Sequence, residues 1–519
     1  MSSAKHVSVE ASSSPQSSKS ATAVDGPASV IAEGNFDPVY EAKARVLNNA
    51  MSEIGFGKYH KALFVVAGFG WLADNLWPQV TAIILPSVIN ELNPPRTVYL
   101  TLAQNLGLAV GAAGWGVGSD IIGRRWAFNL TLLIAGVFGL VAGASPSFTA
   151  VAVLAALWSV GVGGNLPVDS AVFLEFIPGT HQYLLTVMSV WWAFGQILAS
   201  AVAWPLMANY ACEGPEGCTR SKNMGWRYFV FAMGGFTLLM FLLRFLVFDL
   251  HESPKFLMGR GRDAEAVESI HAVAKYNGVE STLVLEDLTK IDTDESRAQY
   301  TTINAAVERN LEKFKLNHIR ALFATKELVF STSLVMALWA LIGLAFPLYN
   351  AFLPYYLASR GAEAGDSSTS ITFRNYLIIA ICGIPGSLLA GIAVELPLLG
   401  RKGAMSLSTF LTGIFLFAGT TARTSNALLG WNCGYSITSG AMYGILYSYT
   451  PEIFPTKDRG TGNGLAATAN RIFGIIAPII AMYADLSTPV PIYISGSLFL
   501  VAGLLMLALP YEPRGKTSL

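Results

Sequence analysis

Apolar runs of about twenty residues recur along this chain, separated by short clusters of Gly, Pro, Asn and charge. At a helical rise of about 1.5 Å per residue, one such run matches a bilayer core of about 30 Å. The pattern predicts twelve membrane-crossing helices, at roughly 61–89, 97–118, 126–145, 149–177, 183–209, 226–248, 327–357, 371–396, 403–422, 427–449, 461–483 and 489–510. A polar insert, 249–326, separates six from six, and its charge excludes it from lipid. The expected fold is therefore an all-α membrane protein with twelve transmembrane helices in two six-helix bundles, 58–248 and 327–510. The insert is read as a cytosolic central loop and 511–519 as a cytosolic C-terminus.

The first 57 residues read differently. Residues 1–36 are rich in Ser and Ala and lack an apolar core, so a disordered cytosolic tail is expected rather than a cleavable signal. Asp37-Pro38 then offers a helix start, and Val39, Ala42, Val46, Leu47, Ala50, Met51 and Ile54 follow at helical spacing. This short amphipathic helix has two possible seats, the inner membrane face or the surface of the bundle.

Composition agrees with a membrane chain: 53% of residues are hydrophobic and 13% charged, about half the charged share of soluble domains. Lys and Arg number 34, as do Asp and Glu, so charge gives no support to a nucleic-acid partner. An even number of spans places both ends on one side, with Arg124, Arg125, Arg401, Lys402, Lys457 and Arg459 on the cytosolic face. Cys212 and Cys218 flank a Gly/Pro turn in a predicted outer loop, where a disulfide suits an oxidising exterior. No nucleophile–base set, metal cluster or phosphate loop stands out, so neither an enzyme nor a cofactor or metal site is expected.

Two segments repeat. Gly116-Val-Gly-Ser-Asp120-Ile-Ile-Gly123-Arg124-Arg125 makes a tight charged turn between two spans, and Gly391-Ile-Ala-Val-Glu395 followed by Gly400-Arg401-Lys402 repeats it in the second half. Glu175, Glu252, Glu452 and Arg459 fall on the same predicted face. With Asp120, Arg124, Arg125, Glu395 and Arg401 they are expected to form a salt-bridge network that closes the cytosolic side.

Two ionisable residues lie deep in spans, where lipid penalises them by about 2.5–3.5 kcal/mol. Asp74 is about thirteen residues into the first span, roughly 20 Å from its entrance. Burial favours its protonated form, which suits a proton-coupling acid; alternatively it caps the helix break before Pro78. Arg471 is about ten residues into the eleventh span, roughly 15 Å deep. It suits bidentate capture of a carboxylate, or is tied to a neighbouring helix by a group such as Asp74. Trp71, Trp77, Trp191, Trp192, Trp339, Tyr349, Tyr443 and Tyr447, with Asn350 beside Tyr349, are candidates to line a cavity.

Taken together, these residues resemble the major facilitator superfamily over about 58–515. The turn at Gly116–Arg125 resembles its signature, with Ile121 where a basic residue is usual. Glu252-Ser-Pro-Lys255, Pro451-Glu452-Ile-Phe-Pro455-Thr-Lys-Asp-Arg459-Gly460 and Pro510-Tyr-Glu512-Pro-Arg514-Gly515 resemble the sugar-porter-like branch. Gly161-Val-Gly-Gly-Asn165-Leu-Pro167-Val-Asp169 resembles the synaptic-vesicle-type and organic-ion transporters, here of fungal type. The seventh span lacks the paired Gln of sugar porters and Ala155–Val160 lacks their Arg, whereas Gln196 matches a sugar-contacting position. The resemblance implies an acid such as Asp74 in proton coupling. It also implies an anion at Arg471, which precedes Pro478 by seven residues as in organic-anion carriers.

The expected protein is a proton-coupled secondary transporter of a small organic anion or carboxylate, working by rocking-bundle alternating access. The alternatives are an exporter of a secondary metabolite and a sugar or polyol proton symporter. Its expected partners are a small-molecule solute, protons and the lipid bilayer. It is expected as a monomer in the plasma membrane, with the vacuolar membrane as the alternative.

Overall fold

A computed structural model describes residues 38–178, 181, 184–292, 320, 322–363, 368–394, 396, 399–454, 459–484 and 488–510. Among these residues every regular element is helical. The first half comprises α1 (Pro38–Ile54), α2 (Lys58–Leu92), α3 (Tyr99–Ile122), α4 (Arg124–Ala142), α5 (Phe148–Phe176), α6 (Leu184–Val187), α7 (Val190–Tyr210) and α8 (Gly225–Leu242), which runs on into a π turn, Leu243–Val247. The insert carries α9 (Pro254–Met258), α10 (Asp263–Asn277) and α11 (Leu285–Thr289). The second half holds α12 (Lys326–Asn350), α13 (Leu353–Glu363), α14 (Thr369–Ala393), α15 (Gly400–Thr420), α16 (Ser425–Ile453), α17 (Arg459–Tyr483) and α18 (Val490–Leu507).

Twelve of these helices have 18 residues or more, and each overlies one predicted span. Nine are apolar enough throughout to cross a membrane on hydropathy alone. The other three are α2, α3 and α16, whose runs are diluted by Trp, Asn, Gln, Ser and Gly. Of these, α2 buries polar groups inside the protein, among them Gln79, Thr81 and Ser87. In the first bundle α2 packs on α5, α7 and α8, and α4 and α3 pack on α5. In the second, α12 packs on α17 and α18, α14 on α16, and α15 on α16 and α18. The halves meet where α7 touches α14, α3 touches α17 and α2 touches α13.

Small residues bring the backbones close, as van der Waals packing in lipid demands. A Cβ on Gly111 of α3 would lie 2.2 Å from the Val160 carbonyl oxygen of α5. The two Gly-Arg turns share their backbone logic: Gly123 has φ +104° and Gly400 φ +59°, both in the region that favours glycine.

Two expectations change. The seventh span, read as one run, breaks after Asn350 into α12 and α13. Pro354 explains the break, because its ring clashes with the carbonyl four residues back and it donates no N–H. The helix α1 packs its apolar face not on lipid but on the insert. Leu47, Ala50, Met51 and Ile54 share a buried cluster with Leu257, Ile270, Val273 and Leu288. Lys43, 3% exposed, is clasped by Asp263 at 2.5 Å and Asp292 at 2.6 Å. The insert and α1 together form a small cap under the first bundle.

Candidate functional site

Asp74 and Arg471 come together. Arg471 Nη2 lies 3.5 Å from Asp74 Oδ1, linking α2 of the first half to α17 of the second. Each helix carries its charge on an inward stripe, so the pair sits between the bundles and not in lipid. Both readings of Arg471 thus share one geometry: it is near mid-span and it is tied by Asp74.

An aromatic row adjoins the pair. Trp71, one turn before Asp74, has its ring 4.9 Å from that of Trp192 on α7. Trp192 lies 4.8 Å from Tyr447 on α16, and Tyr447 lies 4.8 Å from Trp339 on α12. Tyr447 is within electrostatic range of both Asp74 and Arg471. Trp339 is anchored by donating Nε1–H to Thr450 Oγ1 at 2.9 Å. Gln196 donates to Asn75 Oδ1 at 3.3 Å, next to Asp74 in sequence. Tyr447 thus adjoins the ion pair, Trp339 is reached from it through one ring contact, and Gln196 is reached through Asn75.

Tyr349 and Asn350 do not join them. They follow Trp339 by ten and eleven residues on α12, about 15 Å along the helix. Tyr349 donates to Asn432 Oδ1 at 2.5 Å and Asn350 donates to the Tyr435 hydroxyl, so both serve the α12–α16 contact.

Near them is a contact the sequence did not announce. The Tyr376 hydroxyl on α14 donates to Gln79 Oε1 on α2, across the halves. Trp204 Nε1 donates to Ser370 Oγ at 3.1 Å, and Arg96 Nη1 to the Met482 carbonyl at 3.1 Å. All three bonds join the halves at the end remote from the insert.

A second buried pair also escaped the sequence reading. Arg244 Nη2 lies 2.8 Å from Asp169 Oδ2, and both side chains are 0% exposed. Arg244 also donates to the Val66 carbonyl at 2.6 Å and the Phe128 carbonyl at 2.5 Å, and its guanidinium carbon stands 3.6 Å over the Phe128 ring. Four helices of the first bundle, α2, α4, α5 and α8, meet at this one cation. Asp169 abuts Gly70, where a Cβ would lie 1.7 Å from Oδ2, one turn from Asp74. The signal was present: Asp169 continues the buried stripe Trp158, Val162, Asn165, and Arg244 continues Met233, Thr237, Met240.

At the end that carries the insert, Arg124 and Arg125 find partners close by. Arg124 Nε reaches Glu175 Oε1 at 3.3 Å and Nη1 reaches Ser119 Oγ at 2.5 Å. Arg125 Nη2 reaches Asp249 at 3.5 Å on the surface. Glu252 accepts the backbone N–H groups of Arg124 at 2.8 Å and Arg125 at 3.3 Å, capping the start of α4. Burial, offset by these bonds, holds the Glu252 carboxyl above its ordinary value. Arg401 lies half-buried in the first turn of α15. The side chains of Asp120, Glu452 and Arg459, and the whole of Glu395, lie outside the described residues. Of the expected network, the Arg124–Glu175 pair lies among the described residues; Glu395 and the side chains of Glu452 and Arg459, expected to extend it on the second half, lie outside them. The partners of Arg124 and Arg125 lie on α3, on α5 and at the start of the insert, beside the turn. Cys212 and Cys218 are joined by a disulfide between α7 and α8. Among the described residues no group of three or more His, Cys, Asp or Glu is placed to hold a metal.

Comparison with known proteins places these features in context. The profile of the sugar (and other) transporter family matches residues 90–511. The chain is 56% identical to MFS siderochrome iron transporter 1 of Ceriporiopsis subvermispora, over 95% of each chain. It is 25% identical to the niacin transporter NiaP of Acinetobacter baylyi, over 84% of this chain and 90% of that one. Among solved structures, the partially occluded inward open conformation of the xylose transporter XylE from E. coli superposes with a TM-score of 0.65 at 18% identity. That match covers 88% of this chain and 99% of XylE, and it speaks for the fold.

Proposed function

This chain belongs to the sugar (and other) transporter family of the major facilitator superfamily, and from that membership we propose that it moves a small organic anion together with a proton. A multi-pass membrane transporter is the common ground with its relatives; the anion and the proton are our reading. The observation that carries it is the Asp74–Arg471 contact between the halves.

Charge balance gives the mechanism. With Asp74 ionised, its charge and that of Arg471 cancel, and the empty site is neutral. When Asp74 takes a proton from the open side, the guanidinium is released and a solute carboxylate takes its place. The loaded site is neutral again. The half-loaded forms, a proton without an anion or an anion without a proton, leave an uncompensated charge between the bundles. Burying such a charge costs several kcal/mol, roughly 3–5 when one partner of a pair is missing. Only the empty and fully loaded forms therefore rock readily, and the two fluxes are coupled. Gln196, Trp71, Trp339 and Tyr447 bound the solute in this scheme. Arg124, Glu175 and Glu252, with the other cytosolic charges, stiffen the first half where it must move as one body. The plasma membrane is the proposed location.

Reconstituted protein tests this with a panel of labelled organic acids, sugars and the ferric siderochrome that the fungal relative's name suggests. An inward proton gradient should drive accumulation of an organic acid. Asp74→Asn should lose that accumulation and keep anion exchange, because its loaded form stays neutral while its empty form does not. Accumulation by Asp74→Asn equal to wild type would remove Asp74 from coupling. Uptake of sugars alone would remove the anion.

A further inference from the structure

Hydrogen-bonding capacity around the ion pair is unevenly spent. Gln196 donates to Asn75, and the Trp339 N–H is satisfied by Thr450. The indole N–H groups of Trp71 and Trp192 are buried and have no partner; Trp71 as a whole is 6% exposed. An indole nitrogen only donates. Arg471 only donates as well, and its one described partner is Asp74. Asp74 Oδ1 also lacks a hydrogen-bond partner; once Asp74 is protonated, what this spot offers a solute is mainly a set of donors, which fits a hydrogen-bond acceptor. A polyol, which must donate as often as it accepts, is served poorly there.

Charge narrows the solute further. The other arginine buried in this part of the molecule, Arg244, is held by Asp169 and two carbonyls. One guanidinium thus meets the solute, and one negative charge balances it once Asp74 is protonated.

Shape comes from the rings. Trp71 and Trp192 belong to the first half, Tyr447 and Trp339 to the second, and the row crosses between them at Trp192–Tyr447. A flat ring that enters this crossing exchanges one ring contact for two, one on each half. A saturated ring of the same size cannot stack that way.

Building on the anion reading above, we infer that the solute is a flat aromatic or heteroaromatic monocarboxylate. Its carboxylate takes Arg471 and an indole N–H, and its ring lies in the Trp71–Trp192–Tyr447 row. Trp71 and Trp192 are the specificity-determining residues.

Isothermal titration of the purified full chain in detergent tests this without interference from weak acids crossing lipid. The probes are benzoate, nicotinate, cyclohexanecarboxylate, phthalate, benzamide and glucose. Benzoate and nicotinate should bind, with cyclohexanecarboxylate at least about tenfold weaker for want of ring stacking. Phthalate and benzamide should be weaker still, by roughly thirtyfold or more, because their charge does not match the site. Trp71→Phe keeps a ring and removes the donor, so benzoate and cyclohexanecarboxylate should weaken alike, by about fivefold. Trp192→Leu should narrow the preference for benzoate over cyclohexanecarboxylate to within about threefold. Equal binding of the saturated and aromatic acids by wild type overturns the ring inference and leaves the anion reading standing. If none of the acids binds, or if glucose or benzamide binds in their place, both fall. The wild-type panel and Trp71→Phe decide the matter even if Trp192→Leu does not fold.

Discussion

Arg244 shows what a single, fully buried side chain can organise. Its guanidinium is shared by the Asp169 carboxylate and the carbonyls of Val66 and Phe128. Removing one partner of such a pair strands the other, at a cost of about 3–5 kcal/mol. Asp169→Ala should therefore lower the thermal stability of the purified protein by about that amount. The double change Asp169→Leu with Arg244→Met should recover more than half of the loss, since it leaves no charge behind. A double variant no more stable than Asp169→Ala would show that the cation's carbonyl bonds, not the ion pair, hold the four helices. Depth in a span was enough to single out Asp74 and Arg471 from sequence. Asp169 and Arg244 needed a second criterion, the face of the helix, and on α5 that face is muted. Lipid and core are equally apolar, so the stripe through Asn165 and Asp169 carries little hydropathy contrast.

Elements followed the hydrophobic pattern closely because a bilayer allows few alternatives to a long helix. The two departures have different causes. Pro354 divides the seventh span, and the seat of α1 is set by tertiary partners that no local pattern names. The cap beneath the first bundle is tied to the foot of α2 by His60, which is 0% exposed. His60 Nδ1 accepts the Gly57 N–H at 3.1 Å, so Nε2–H donates to the Phe176 carbonyl at 3.0 Å. Beside it, Asn277 of α10 accepts the Tyr59 N–H at 2.9 Å. Only a neutral imidazole can make both of its bonds, because a protonated Nδ1 would face a donor. Burial, with the nearby His181 adding to it, holds His60 below its ordinary value of 6.5. The tie is therefore complete above about pH 6.5 and is lost as pH falls through the lower value in the fold. Hydrogen exchange at residues 57–63, corrected for intrinsic rates, should rise between about pH 7.5 and about pH 5.5. Unchanged protection over that interval would show that His60 does not govern this joint.

At the scale of the whole molecule, three hydrogen bonds fasten the halves at the end remote from the insert. Gln79–Tyr376, Trp204–Ser370 and Arg96–Met482 form the fastening. None was foreseeable from sequence, because the partners lie 297, 166 and 386 residues apart and none of the three bonds is an ion pair. The Gly-Arg turns were legible as repeats, and Arg124 and Glu175, expected on one face, do pair there. If the fastening holds the outer side shut, Gln79→Ala should shift the population toward an outward-open form. With about 1 kcal/mol for the lost hydrogen bond, a cysteine placed at Asn75 should react roughly fivefold faster with an impermeant reagent from outside. No change in that rate would leave the Gln79–Tyr376 bond without a gating role.

The central claim concerns coupling: one proton and one negative charge cross together, so the full cycle moves no net charge. Labelled nicotinate in proteoliposomes with clamped pH and potential tests it most directly. The account predicts that an inward proton gradient drives nicotinate accumulation, that potassium-diffusion potentials of either sign leave the initial rate unchanged, and that Asp74→Asn abolishes the response to pH. Uptake that follows the membrane potential and ignores the proton gradient would contradict it.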